Sequence, residues 1–122
     1  MPDRKRILGL IERVEAGQYV EAIRDFYADD ATMQENLGAP RKGRDVLMEH
    51  ERKAMAAVKE IRTRSGATFT QDGDIVVIRW RFDIETREGR ILHLDELAYQ
   101  RWSADRIVEE RFYYDPAFRT AT

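Results

Sequence analysis

Cysteine is missing from the 122-residue chain, and this absence removes several classes of site at once. Disulfides, thiolate nucleophiles, cysteine-ligated zinc and iron–sulfur clusters are all excluded. The two histidines, His50 and His93, have no partners at the spacing of metal ligands, so we expect no metal site. A glycine-rich phosphate loop is also missing, and we expect a protein without a cofactor.

An excess of charge of one sign is lacking too, because 21 basic and 23 acidic residues leave a net charge of −2. This balance provides neither the basic surface that binds nucleic acids nor a polybasic membrane anchor. No apolar run approaches the roughly 20 residues of a membrane span, and the first residues do not resemble a signal peptide. We therefore predict a single cytoplasmic domain over residues 1–122, with neither a nucleic-acid nor a membrane partner.

The first half of the sequence has helical periodicity. Apolar residues recur at helical spacing from residue 7 to 14, between the plausible cap Asp3 and the stop signal Gly17. A second helix is predicted to end near residue 28, followed by a short extended piece over 31–36. A long third helix is predicted over 45–61, and His50 falls on its apolar face.

In the second half the period changes to two, which predicts strands over 67–71, 76–84, 91–102 and 107–115. In the second of these, Trp80 and Phe82 alternate with Arg79 and Arg81, so one face is buried and the other is solvated. Three helices followed by antiparallel strands indicate an α+β fold. A sheet that curls over the helices would form a cone with an apolar interior cavity for a small molecule, lined by Trp80 and Phe82.

The last two predicted strands carry most of the polar side chains with possible chemistry. A hairpin with a two-residue loop sets Glu96 opposite Tyr113, with Arg111 and Asp115 on the same face. A carboxylate in an apolar cavity has a raised pKa and can act as an acid or base near neutrality. Arg111 would hold one carboxylate ionised, and Tyr113 could donate a hydrogen bond to a carbonyl or enolate oxygen.

Other interpretations of these residues stay open from the sequence alone. Glu96 and Arg111 could form a buried ion pair without chemistry. A bulge in either strand would reverse the faces, turning His93 and Asp95 inward and Glu96 outward. His50 could reach the cavity as a proton shuttle, or it could be a core histidine with its hydrogen bonds satisfied.

Distinctive motifs occur at residues 28–31, at 43–45, in the strand around Trp80 and at residues 110–116. With these segments the chain resembles the NTF2-like superfamily and, within it, the SnoaL-like group. The resemblance covers nearly the whole chain, and its motifs specify the fold much better than the activity. It implies a homodimer formed through the outer face of the sheet.

Among related groups, the limonene-epoxide hydrolases orient a water with a tyrosine, an asparagine and an Asp-Arg-Asp relay. Asn36 looks like the asparagine and Asp115 like the terminal carboxylate, which makes Asn36 a candidate ligand-binding residue. Gln34 replaces the tyrosine, and Trp80 and Phe82 stand where the relay needs Arg and Asp. Epoxide hydrolysis by that mechanism is therefore not expected, and the tyrosine–acid pair of ketosteroid isomerases is not found at its positions either.

Two functions from different classes follow. The first is a cofactor-free isomerase, cyclase or lyase that acts on a small, mostly apolar organic molecule by acid–base catalysis, with Glu96 or Asp115 as the base. The second is a non-catalytic ligand-binding or dimerisation module. A polar cluster fully paired with itself would favour the second, and an unpartnered carboxylate facing the cavity would favour the first.

Overall fold

The computed structural model describes residues 1–119, in which three helices pack against one seven-stranded sheet. None of these helices is long and apolar enough to cross a membrane. In chain order, the elements are α1 (Arg4–Glu15), α2 (Tyr19–Phe26), β1 (Tyr27–Glu35), β2 (Arg41–Lys42), α3 (Arg44–Ala56), β3 (Glu60–Thr63), β4 (Thr68–Asp72), β5 (Ile75–Glu85), β6 (Ile91–Ser103), β7 (Arg106–Tyr113) and a 3-10 helix (Pro116–Arg119).

The first helix begins and ends at the residues that its sequence indicates. The Asp3 side chain accepts a hydrogen bond from the Arg6 backbone N–H at 2.8 Å, which caps the helix. Gly17 adopts a positive φ of 77° just after the end, where a residue without a Cβ is favoured. The second helix stops at Phe26, slightly before the predicted end, because Tyr27 already has extended backbone and begins β1.

The third helix is shorter than predicted. It ends at Ala56, and residues 60–63 form strand β3 instead of the last helical turn. Ile61 pairs with Ile84, and the Lys59 N–H donates to the Glu85 carbonyl at 2.9 Å. The spacing of the apolar residues in this segment suits either element, and pairing with a distant strand decides between them.

The structure confirms the predicted α+β cone, but its sheet is mixed and not wholly antiparallel as predicted. Its strand order is β2-β1-β7-β6-β5-β3, and β4 pairs with the other end of β5. Every pairing is antiparallel except that of β1 with β7, which is parallel, so the sheet is mixed. The alternation along β5 is confirmed: Trp80 is buried, Phe82 packs against the core and Arg79 is exposed.

The β6–β7 hairpin contains a bulge that the predicted register did not include. The two-residue loop is present, since Ser103 pairs with Arg106 and Trp102 with Ile107. Arg101 then pairs with Glu109, which leaves Val108 as an extra residue in β7. The predicted pairing of Glu96 with Tyr113 is therefore wrong, because Leu97 lies opposite Tyr113 and Ala98 lies opposite Phe112.

The bulge reverses the faces of β7 but leaves those of β6 as predicted. Glu96, Ala98 and Gln100 are buried on the inner face of β6. Beyond Val108, Glu110 and Phe112 turn inward, and Arg111 and Tyr113 turn outward.

Candidate functional site

A cavity of about 180 Å³ lies between the helices and the inner face of the sheet. Most of its wall is aliphatic or aromatic, and all three helices contribute to it. The apolar lining residues are Leu10, Val14, Ala22, Ile23, Met33, Ile61, Trp80, Phe82, Ile84, Leu94 and Phe112. The polar lining residues are Tyr19, Tyr27, Glu35, Arg41, His50, Glu51, Glu96, Gln100 and Glu110.

Glu96 is one of two carboxyl groups in this wall that have no partner among residues 1–119. It lies beside Trp80 on the neighbouring strand, and only 8% of the residue is exposed. Its side chain has no hydrogen bond or ion pair with any of residues 1–119, and neither carboxyl oxygen is completely enclosed by protein atoms. Burial raises the pKa of Glu96 to about 8, and the negative charge of Glu110 adds to the effect. Glu96 is therefore mainly protonated at neutral pH.

Glu110, in contrast, is held by two donors. The Tyr27 hydroxyl donates a short hydrogen bond to one carboxyl oxygen, and Gln100 Nε2 donates to the other at 2.6 Å. Trp102 Nε1 donates to Gln100 Oε1 at 3.0 Å, which fixes the orientation of that amide. Burial raises the pKa of Glu110 to about 7, although both hydrogen bonds act in the opposite direction. Glu110 is thus a fully engaged member of a buried network.

The remaining ionisable lining residues come from β1, β2 and α3. Glu35 and Arg41 form an ion pair at 2.9 Å. Glu51 has no hydrogen bond or ion pair within the described part of the chain, and burial raises its pKa. Burial lowers the pKa of His50, and the charge of Arg41 lowers it further, so His50 is neutral at neutral pH.

Three predicted catalytic residues lie outside the cavity wall. The bulge turns Arg111 and Tyr113 to the outer face, where the guanidinium lies 4.8 Å from the centre of the Tyr113 ring. Asp115 follows the end of β7, is exposed, and accepts a hydrogen bond from the Ala117 N–H at 2.9 Å. The predicted cluster of these three with Glu96 is therefore wrong, and so is a buried ion pair between Glu96 and Arg111.

Of the four predicted ligand-binding residues, His50, Trp80 and Phe82 line the cavity and Asn36 does not. Asn36 has a φ of 50°, and its side chain accepts a hydrogen bond from the Tyr114 N–H at 2.9 Å. Its carbonyl accepts from Arg111 Nε at 2.8 Å. Asn36 thus joins the end of β1 to the end of β7, which is a structural role.

The opposite face of β6 holds no cavity residues. His93 Nδ1 lies 2.7 Å from an Asp83 carboxyl oxygen, and Asp95 forms an exposed ion pair with Arg79 at 2.6 Å. Glu96 is therefore on the inner face, as the first of the two sequence interpretations predicts.

Sequence reasoning missed several other polar residues of the cavity wall. Gln100 shares the inward alternation of Glu96, and this signal alone could have found it. The bulge made Glu110 appear to face outward. Tyr27 lies at the junction of α2 and β1, and Glu51 directly follows His50 in α3, so neither was recognised as a lining residue. No group of three or more histidines and carboxylates within residues 1–119 is placed to hold a metal ion.

Solved structures with this fold share little sequence with the chain. A protein of unknown function from Burkholderia pseudomallei has a TM-score of 0.79 at 17% identity, covering 93% of this chain and 90% of that one. IdmH from Streptomyces antibioticus, described as a candidate polyketide cyclase, has a TM-score of 0.75 at 23% identity, with coverage of 93% and 92%.

A third solved structure, a candidate SnoaL-like polyketide cyclase from Mesorhizobium loti, has a TM-score of 0.73 at 21% identity, with coverage of 90% and 97%. No curated protein matches the chain. The family model of the SnoaL-like domain matches residues 7–110, which include every element from the second turn of α1 to the inward carboxylate of β7. The chain belongs to the SnoaL-like domain family.

Proposed function

We propose that the protein binds a small, mostly apolar organic molecule in the cavity and exchanges a proton with it through Glu96, without a cofactor. The observation that carries this proposal is the buried, unpartnered carboxyl group of Glu96, which lines the cavity beside Trp80. A buried polar group without a protein partner lowers stability. A bound ligand can supply the hydrogen-bond partner that the protein does not provide for Glu96.

The protonation state of Glu96 suits this chemistry. A carboxylic acid with a pKa of about 8 can donate a hydrogen bond to a carbonyl oxygen at neutral pH. After losing its proton, the same group can act as a general base, and its pKa lies near neutral pH, where general bases are most effective. Isomerisation, cyclisation and elimination next to a carbonyl all require a proton to leave or join a carbon, so this class of reaction fits the site.

The cavity limits the size of the ligand. Its volume of about 180 Å³ is close to the roughly 150 Å³ of an engineered apolar cavity that takes up benzene. The enclosed part of a ligand is therefore about one ring with short substituents. Trp80 and Phe82, with ring centres 6.2 Å apart, provide two aromatic sides for such a ring.

Deuterium exchange tests the proposed proton transfer. The α-hydrogens of 2-cyclohexenone are followed by proton NMR in D₂O, with and without the protein. We expect acceleration by the unmodified protein and a loss of about 10²–10⁴-fold of it in Glu96→Gln, the range typical of general acid–base groups. Glu109→Gln is the matched control, because Glu109 is an exposed carboxylate of β7. Equal rates in the two variants would contradict the role of Glu96.

A non-catalytic module is the second candidate, and two observations favour it. The network around Glu110 is satisfied by its own members, as in a structural core. The outer face of the sheet also exposes Leu97, Tyr99 and Tyr113 at 42–47%, and we propose that a homodimer covers them. Ligand uptake without any deuterium exchange would favour this second function.

A further inference from the structure

We infer that the ligand of the cavity is an organic cation whose alkylammonium group sits between the carboxylates of Glu51 and Glu96 and the aromatic rings of Trp80 and Phe82. This inference rests on the proposed function, since the same cavity must be the binding site. The charges and the aromatic rings of the wall further indicate that the ligand is positively charged.

The charges of the wall are unequal. Four glutamates line the cavity, and Arg41 is the one permanently charged basic residue among the described lining residues. Arg41 is already engaged by Glu35 at 2.9 Å. Glu110 has its two donors, so Glu51 and Glu96 are left without a hydrogen bond or ion pair among residues 1–119.

Glu96 is more than nine-tenths buried and lines the cavity, so a ligand there is within its reach. A neutral carbonyl ligand would accept one hydrogen bond from a protonated Glu96 and offer nothing to Glu51. An anionic ligand would face four carboxyl groups and would have to draw Arg41 away from Glu35. A cation interacts favourably with both free carboxylates at once.

The aromatic residues of the wall suit the same ligand. Trp80 lies beside Glu96 on the next strand, and its ring centre is 6.2 Å from that of Phe82. Tyr19 meets Phe82 edge to face, with the ring centres also 6.2 Å apart. Cations within about 6 Å of an aromatic ring centre are attracted by its quadrupole, and quaternary ammonium groups are commonly recognised in this way. A trimethylammonium group is also compact enough for a cavity of about 180 Å³.

Binding of a cation must change the protonation of Glu96. Its pKa of about 8 means that it holds a proton at neutral pH, and a permanent cation favours its release. Affinity should therefore increase as the pH rises through 8. The other titratable or charged groups that face Glu96 across the cavity are Tyr19, Tyr27, Glu35, Arg41, His50, Glu51 and Glu110.

The carboxyl groups are the ones among these that change charge as the pH rises from 6 to 9. The pKa values of both tyrosines are raised by burial, and that of His50 is lowered by burial. Arg41 keeps its charge throughout the range. The pKa values of Glu51 and Glu110 are raised, so their ionisation acts in the same direction as that of Glu96.

Calorimetry with a pair of isosteric probes tests the charge preference. Choline carries a trimethylammonium group, and 3,3-dimethylbutan-1-ol has a carbon atom in place of the nitrogen. At pH 9 we expect choline to bind at least about tenfold more tightly than its neutral isostere, with a smaller preference at pH 6. At pH 7, titrations in two buffers of different ionisation enthalpy should show that choline binding releases about one proton or more and that the alcohol releases none.

Variants separate the two parts of the site. Glu96→Gln should lose most of the choline preference and the proton release, and Phe82→Leu should lose part of the preference only. Glu109→Gln should retain both, because its side chain lies outside the cavity. Thermal melting checks that each variant is folded, and proton release by the unmodified protein needs no variant.

The outcomes distinguish this inference from the proposed function. Equal or tighter binding of the neutral alcohol at pH 9 would overturn the cationic ligand and leave a cavity that binds an apolar molecule. Choline binding without proton release would overturn the role of Glu96 in charge recognition. If neither probe binds at millimolar concentration, both the cationic ligand and the proposed ligand-binding function are overturned.

Discussion

Replacing Glu96 by glutamine should stabilise the protein at alkaline pH and leave its stability at acidic pH nearly unchanged. Glutamine has the shape of a protonated carboxyl group, so the two side chains are equivalent to the fold while Glu96 holds its proton. Above the pKa of Glu96, only the unmodified protein has to hold a charge at this buried position.

The magnitude follows from the pKa in the two states. The pKa of Glu96 rises from its ordinary value of 4.5 to about 8 on folding. Between these values the folded state keeps a proton that the unfolded state has lost, so the free energy of unfolding falls as the pH rises. At about 1.36 kcal/mol for each pKa unit, the loss amounts to about 5 kcal/mol once the pH exceeds 8. Domains of this size are stable by only about 5–15 kcal/mol, so the effect is large.

Urea unfolding at pH 4, 6, 7, 8 and 9 measures this difference, and the fluorescence of the buried Trp80 and Trp102 is the signal. The stability of Glu96→Gln should exceed that of the unmodified protein progressively through this range. Glu109→Gln, an exposed change on a neighbouring strand, should follow the unmodified protein throughout. Parallel stability curves for Glu96→Gln and the unmodified protein would refute the buried, unpartnered state of this carboxyl group.

Three further outcomes are expected. Trp80→Ala should lower the free energy of unfolding by about 3–5 kcal/mol in denaturant melts, because Trp80 is 3% exposed in the core, and a loss below about 1 kcal/mol would contradict this placement. Light scattering should give twice the chain mass for the unmodified protein and the single mass for Leu97→Arg, which places a charge on the exposed outer face; a monomeric unmodified protein would exclude the dimer. Tyr27→Phe should cost about 1–3 kcal/mol at pH 8, because it removes a hydrogen bond from the buried Glu110, and an unchanged melting midpoint at that pH would contradict the network.

The elements that the sequence predicted well are those with a strong local signal. The cap Asp3, the alternation along β5 and the two-residue hairpin loop each depend on neighbouring residues, and the structure confirms them. The end of α3 was predicted too late, because Ile61 satisfies helical and strand spacing equally. Only its partner Ile84, far along the chain, decides the outcome.

The candidate site depends on register, which the local sequence specified only in part. The inward alternation of β6 identified Glu96 because apolar residues flank it at every second position. The same logic failed for β7, where Val108 is an extra residue without a distinctive sequence signal. Arg111 was consequently assigned to the cavity in place of Glu110, and the donors Tyr27 and Gln100 were not connected to it.

The bulge at Val108 also shifts the inward and outward alternation of β7 by one residue, so the two halves of the strand follow different alternations. Ile107 and Glu110 both face inward although three positions separate them, which no unbroken strand allows. When β7 is aligned with a regular strand, the positions matched by counting from the hairpin loop therefore differ by one residue from those matched by counting back from Pro116. When this chain is aligned with a relative that has a regular hairpin, a one-residue gap belongs at position 108. A variant library built on this strand should include deletion of Val108 as well as side-chain substitutions. The deletion alone would turn Arg111 and Tyr113 toward the cavity in place of Glu110 and Phe112.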